Sequence, residues 1–367
     1  MPTNEERMAW LFFSFLQARA GTSLVSRLGS LSPVEAMEMA PERFAAATGR
    51  GERVSSHFME IKRSFRHDEI MERLSERGIS VVTLADENYP SRLRETSDPP
   101  PALFVDGDIP DPPYVAVVGS RKASVGGLDA AAEVGRALGG RGVCVVSGLA
   151  LGVDGAAHRG TLSVAGKTLG VLGCGIDIVY PKKHHALFGE VRRMGGIVSE
   201  YYLGEAPLAW RFPARNRIVA GMCETVVVVE AAEKSGALIT ARHALDAGRD
   251  VWAVPGPAGA HECRGSNKLL ADGAGVLWDV EEFAESVAPG EKAPATGHEL
   301  AGEIPAELPA NEAAALSGVG FEPAGVDVVA ARSGMGVGEL LSALTMLELK
   351  GYVSRDSGGG FVRKAAP

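Results

Sequence analysis

The chain has 367 residues and a formal net charge of −9, with 46% hydrophobic and 23% charged residues. That length makes room for two or three domains of ordinary size and a sizeable core. The acidic balance excludes a generic DNA-coating protein, but it leaves open a focused basic groove, because local potential steers a polyanion.

The first elements are helical. Trp10, Leu11, Phe13, Phe15, Leu16, Leu24, Val25 and Leu28 recur at helical spacing, so residues 1–65 are predicted to form short helices. The apolar run Ala9 to Leu16 is too short to span a membrane. Asn4-Glu5-Glu6-Arg7 is not the basic start of a secretion signal, although Ala18-Arg19-Ala20 faintly mimics a cleavage site. Ser32-Pro33 and Glu35 mark a helix start, with Pro33 at the first helical position. A helix-hairpin-helix (SAM/HhH-like) DNA module is a second reading, but the GxG turn it needs is missing near Gly21.

Over 66–287 the pattern changes to strands alternating with helices. Runs at 79–84, 102–105, 114–119, 143–148, 168–173, 225–230 and 251–256 are strand-like, and helices are predicted near 127–141, 153–165 and 237–247. Nearly continuous Val-rich runs mean strands buried on both faces, hence a parallel sheet covered by helices. The fold class is therefore α/β, an extended Rossmann-like doubly wound sheet. Residues 288–309, rich in Pro and Gly, form a linker. Helices over 326–331 and 337–349 and strands at 352–355 and 361–363 then outline a winged-helix-like domain over 310–367. Its candidate recognition helix, 338–344, carries no cation, which favours protein interaction over DNA binding. The wing does hold Arg355, Arg363 and Lys364.

Cys144, Cys174, Cys223 and Cys263 lie far apart with no CxxC pair, as expected of reduced structural thiols in a cytoplasmic protein. No cofactor or metal is expected. Asp154 and His158, four apart on a helix, are either an acid–base or metal pair or a turn-holding cap with its histidine. His184-His185 reads as solvated surface.

In an open parallel sheet, ligands sit at the carboxyl ends of the strands. Four glycine turns converge there: Gly119-Ser120-Arg121, Ser147-Gly148-Leu149, Gly173-Cys174-Gly175 and Ser235-Gly236-Ala237. Helix N-termini at such turns bind phosphate. Neither GxGxxG nor a Walker A motif is present. Ser120, Arg121 and neighbouring Lys122 are candidate phosphate contacts. Phe212-Pro213-Ala214-Arg215-Asn216-Arg217 supplies a ring for stacking and two guanidinium forks for phosphate. Arg215 and Arg217 share a ligand only if the backbone is extended; on a helix one of them braces a carboxylate such as Glu230. Pro213 favours an extended backbone at Phe212. Asn216 is a possible cap for a following helix. Asn267 and Lys268 open a short helix that either adds a phosphate contact or is an ordinary capped helix.

These motifs, in this order, closely resemble the DNA-processing protein A family (DprA, also called Smf). The resemblance rests on 118–124, Ser147 to Ala150 with Gly152-Val153-Asp154 and Ala157-His158, 172–177 with Tyr180-Pro181, 212–221, Glu230-Ala231, 235–241, 248–251, 253–256 and 265–269. It implies a bacterial cytoplasmic homodimer, not an enzyme, that binds single-stranded DNA (ssDNA) and loads the RecA recombinase during natural transformation. It also implies that Ser120 and Arg121 contact phosphate, that Phe212, Arg215 and Arg217 stack and bind, and that Ser235-Gly236 contributes backbone. Leu151 stands where the family usually has Arg. The competing reading is a nucleotide-binding enzyme on a related fold, a nucleoside-monophosphate phosphoribohydrolase. That chemistry wants a carboxylate soon after its glycine turn, and the first acid after Ser235-Gly236 is Asp246.

Overall fold

The computed structural model describes residues 3–21, 24–49, 51–290, 308–320, 324–355 and 359–363. The chain divides into two compact units, Met1–Thr296 and Gly297–Pro367. Most of the predicted linker and Lys364 lie outside the described residues.

The first unit begins with α1 (Asn4–Ala20), α2 (Pro33–Glu38), α3 (Pro41–Ala47), α4 (Glu52–Ser64) and α5 (His67–Ser75). Thr3 with Glu6 and Ser32 with Glu35 form capping boxes, and Pro33 opens α2 as its fixed φ favours. The helices enclose an aromatic core of Phe12, Phe13, Phe44 and Phe58.

The nine strands are β1 (Ile79–Thr83), β2 (Ala102–Gly107), β3 (Tyr114–Val118), β4 (Cys144–Ser147), β5 (Thr168–Leu172), β6 (Gly196–Ser199), β7 (Thr225–Val228), β8 (Asp250–Ala253) and β9 (Gly275–Val276). Their spatial order is β1-β2-β6-β5-β4-β3-β7-β8-β9. From β6 to β9 all neighbours are parallel. At the other edge, β1 and β2 pair antiparallel with each other, and β2 pairs antiparallel with β6. Sequence reading expected a parallel sheet and missed this reversal. Between β1 and β2 the only helix is the single turn α6 (Ser91–Arg94), so the connection has no full crossover helix of the kind that usually joins parallel strands.

The Val-rich strands bury both faces, as their pattern predicts. Val115, Val117, Val145 and Val227 pack on one side with α7 (Val125–Gly140) and α8 (Val153–Leu162). Ala116, Val118, Val146 and Val228 pack on the other. There they meet α10 (Arg211–Met222) and α11 (Gly236–Asp246), whereas α9 (His185–Met194) covers β5 and β6. At roughly 1.5–3 kcal/mol per buried aliphatic side chain, these two layers are the main stabilising term. The unit ends with α12 (Arg264–Ala271) and α13 (Val280–Val287). The chain turns from β3 toward β4 on one side and toward β7 on the other, so a crevice opens at the carboxyl ends of β3 and β7.

The second unit holds α14 (Ala310–Gly318), α15 (Val326–Ser333), α16 (Val337–Leu349) and an antiparallel β10 (Val353–Arg355) and β11 (Phe361–Arg363). Its core joins Leu316, Val329, Leu340, Leu344, Leu347 and Phe361. The outline is a winged helix with α14 added, a helix that the sequence reading did not predict. Lys350 pairs with Glu312 and Arg355 with Glu348. Among the described residues no helix is long and apolar enough to cross a membrane. All four cysteines are free and buried.

His158, on α8, is completely buried. Thr168 donates its hydroxyl to Val145 O at 2.7 Å, so the ring donates from Nδ1 to Thr168 Oγ1, also at 2.7 Å. Burial, followed by the His184 and Arg159 charges, pushes its pKa down to about 3. The unfolded chain binds this proton near pH 6.5 and the folded chain only far below it. Stability from this group is therefore complete above about pH 6.5 and falls as pH drops, by roughly 1.4 kcal/mol per unit. In urea unfolding at pH 6.5 and pH 5, His158→Asn should remove about 2 kcal/mol of the wild-type loss. Equal pH slopes for the two proteins would refute this.

Candidate nucleic-acid interface

The crevice at the carboxyl ends of β3 and β7 is a groove of about 780 Å³. Gly119, Ser120, Arg121, Lys122, Arg215, Asn216, Ser235 and Gly236 line it together, joined by Gly148, Ala150, Asp154, Glu233, Lys234, Thr240 and His261. Four formal cations thus face two carboxylates in an otherwise acidic chain.

Its walls are loops pinned by their own backbone. Ser120 N donates to Glu230 O at 2.7 Å, and Ser120 Oγ accepts from Lys122 N at 3.1 Å. Glu230 accepts from Ser124 N and Oγ, capping this loop rather than bracing an arginine. Gly152 has φ +79, and a Cβ there would strike Ser120 O, so only glycine lets this turn dock against the β3 loop. On the far wall, Ser235 Oγ accepts from Ala237 N and caps α11, whose first residues Gly236 and Ala237 line the groove.

The segment from 211 to 217 is helical, being the start of α10. Pro213 sits within its first turn, where a missing N–H costs nothing, and not after an extended residue. The helix splits the two arginines as geometry requires. Arg215 turns inward and is 4% exposed. It donates to Gly148 O at 3.0 Å, to Val171 O, and through Nε to Asn216 Oδ1 at 3.2 Å. Burial lowers its pKa, and the Asp154 charge opposes that. A Cβ at position 148 would collide with its guanidinium.

Arg217 leaves the groove on the other side of α10. Its guanidinium bonds Glu200 at 2.7 and 2.8 Å and Asp98 at 3.0 Å. Burial disfavours its charge, and the Glu200 and Asp98 carboxylates more than offset this, so its pKa is raised. The bracing acids are thus Glu200 and Asp98, not Glu230. Asn216 is no helix cap; its Nδ2 donates to Gly236 O at 3.2 Å and ties α10 to α11.

Asn267 does not face the groove either. It accepts from Gly256 N and donates to Gly256 O, both at 3.0 Å, clamping the turn after β8. Lys268 is exposed outside the groove lining.

Phe212 is half-buried. Tyr180 packs on it at 5.3 Å with a 34° tilt, and the Arg121 guanidinium lies over its ring at 5.1 Å. Tyr180 is 40% exposed, so an aromatic surface beside a cation is open to solvent. Sequence reading quoted Tyr180 but gave it no role, because 32 residues separate it from Phe212.

Asp154 is a cap, as one of its two readings held. Its Oδ2 accepts from Gly148 N at 3.1 Å and Ala150 N at 3.3 Å. Burial raises its pKa against the Arg215 charge. Asp154 brings a carboxylate to the groove from α8, and Glu233 brings one from the 232–235 turn that leads into α11. His184 is buried, and its Nδ1 donates to Leu149 O at 3.0 Å, which corrects its expected solvation. Leu149 holds φ +53, so this bond helps fix a strained turn. His185 is exposed. Among the described residues no group of three or more His, Cys, Asp or Glu is placed to hold a metal ion.

Comparison with known proteins gives two family matches: residues 80–288 with "DNA recombination-mediator protein A" and 299–359 with "DprA winged helix domain". Protein Smf of Escherichia coli is 40% identical over 290 residues, covering 77% of each chain. The structure of DNA processing protein A from Streptococcus pneumoniae superposes with TM-score 0.63 at 31% identity, covering 79% of this chain and all of that one. A Helicobacter pylori DNA processing protein A, described for its single-stranded DNA binding mode, superposes at TM-score 0.53 and 30% identity, over 58% and 96% of the chains.

Two substitutions separate the arginines. Arg217→Met should destabilise the fold by about 3–5 kcal/mol in urea unfolding, because Glu200 and Asp98 are left without their cation. Gly148→Ala should cost less but shift Arg215, seen as changed side-chain chemical shifts. Wild-type stability for Arg217→Met would refute the bracing role.

Proposed function

Because this chain belongs to the DNA recombination-mediator protein A family, we propose that it is a mediator that binds ssDNA in the groove at the carboxyl ends of β3 and β7. One observation carries the reading. The Tyr180–Phe212 surface meets the Arg121 guanidinium, and Arg121 lines the groove together with Lys122, Lys234 and the first turn of α11. Stacking surfaces need bases released from a duplex, and cations with helix N-termini take phosphates. The residues in this role are Gly119, Ser120, Arg121, Lys122, Phe212, Ser235 and Gly236. Arg215 and Asn216 shape the floor. The reading includes transfer of the strand to RecA by a homodimer in the cytoplasm, with no catalytic turnover. The relatives' DNA-processing names and the H. pylori protein's described binding mode support it.

In gel shifts and fluorescence anisotropy the protein should prefer ssDNA to blunt duplex, with affinity falling as salt rises. Arg121→Ala should weaken binding and lower the salt slope by about one, as for one lost phosphate contact. Equal affinity for duplex, or an unchanged slope, would refute the site. Release of free base from nucleoside monophosphates would instead favour the hydrolase reading.

Deleting residues 303–367 should leave ssDNA affinity within about twofold. The α16 helix has no Lys or Arg, and Lys350 and Arg355 are paired with carboxylates. In the cation-poor setting of α16, phosphate contacts are few. A folded truncation that loses most of its affinity would overturn this.

A further inference from the structure

The groove has a carboxylate where a polyanion site has least use for one. Asp154 sits at its floor, beside Gly148, Ala150 and Arg215, and is 7% exposed. Oδ2 is committed to two backbone N–H groups. Among the described residues Oδ1 has no hydrogen-bond donor, and it is not sealed from solvent. It is an acceptor at the wall of a groove of about 780 Å³.

A phosphate is repelled by such a group, because like charges brought together are unfavourable. A base edge bearing an amino group is not. A carboxylate accepts from the cytosine N4 amino group, whereas uracil and thymine present a carbonyl oxygen at that place. We propose that Asp154 is a base-reading residue: one base of the bound strand enters the groove edge-on, and Oδ1 selects an exocyclic amino group over a carbonyl. Phosphates stay with Arg121, Lys122 and Lys234 at the rim. This rests on the ssDNA-binding reading above and adds a local preference to it.

The geometry also fixes what an isosteric change does. In Asp154→Asn the side-chain oxygen stays on Gly148 N and Ala150 N, because only an oxygen can accept both. The amide nitrogen then takes the place of Oδ1, and a donor faces the groove where an acceptor stood. The preference should therefore invert.

The test compares twelve-nucleotide deoxycytidine and deoxyuridine oligomers, which differ at the 4-position and in the proton that uracil alone carries on N3, by anisotropy with the full-length protein. Wild type should bind the cytidine oligomer about fivefold more tightly, the worth of one hydrogen bond. Asp154→Asn should bind the uridine oligomer more tightly than the cytidine one, with an unchanged salt slope. Equal wild-type affinities, or a variant that keeps the cytidine preference, would overturn the proposal. If neither oligomer binds, the failure lies with ssDNA binding itself. A variant that loses binding altogether is checked by Asp154→Ser, which should bind both oligomers equally; retained cytidine preference there would also overturn it.

Discussion

The guanidinium of Arg215 lies buried against the carbonyls of Gly148 and Val171, and the floor of the groove depends on that placement. It joins the carboxyl ends of β4 and β5 to α10, which crosses them. Carbonyls at strand ends lack ladder partners and need a donor when buried. A planar fork with five donors supplies several at once. Such an arginine brings its own desolvation cost, met by the two carbonyls, Asn216 and the nearby Asp154 charge. The bare Cα of Gly148 makes room for it.

Two residues on, the same helix solves a different problem. Arg217 faces away from the groove and collects Glu200, after β6, and Asp98, from the β1–β2 connection. It pins the antiparallel edge of the sheet to the helix that carries Phe212. The pair of arginines therefore works as an anchor and a floor, and the exposed cations Arg121, Lys122 and Lys234 are left for ligand. The 3.6-residue period of α10 makes the division unavoidable.

Much of this was legible in the sequence. Unbroken Val runs gave away the doubly buried strands, and three of the four glycine turns, those at Gly119, Gly148 and Gly236, lie at the groove. What escaped has a physical explanation. The β6 strand has four residues and opens on a glycine, and β9 has only two residues, so neither shows a periodicity. The strand direction of β1 and β2 depends on the length of their connection, not on composition. Asp98 lies 119 residues from Arg217, and their ion pair exists only once the sheet has formed. Pro213 pointed to an extended backbone at Phe212, and the two arginines were compatible with strand or helix; the motif's position at the start of α10, where Pro is tolerated, decides for the helix.

The contact between Arg121 and Phe212 has a consequence for the groove at rest. With no strand bound, the guanidinium covers the ring face, hiding apolar surface while holding the cation near the rim. A contact of this kind at an exposed site contributes about 0.5–1 kcal/mol, so it yields easily. Under the proposed ssDNA reading, a base sliding onto that face would displace the guanidinium outward, toward the phosphate that arrives with the base. In that reading ring and cation would serve as placeholders for each other, the aromatic surface being shielded from unrelated apolar partners until a nucleotide lifted the cover.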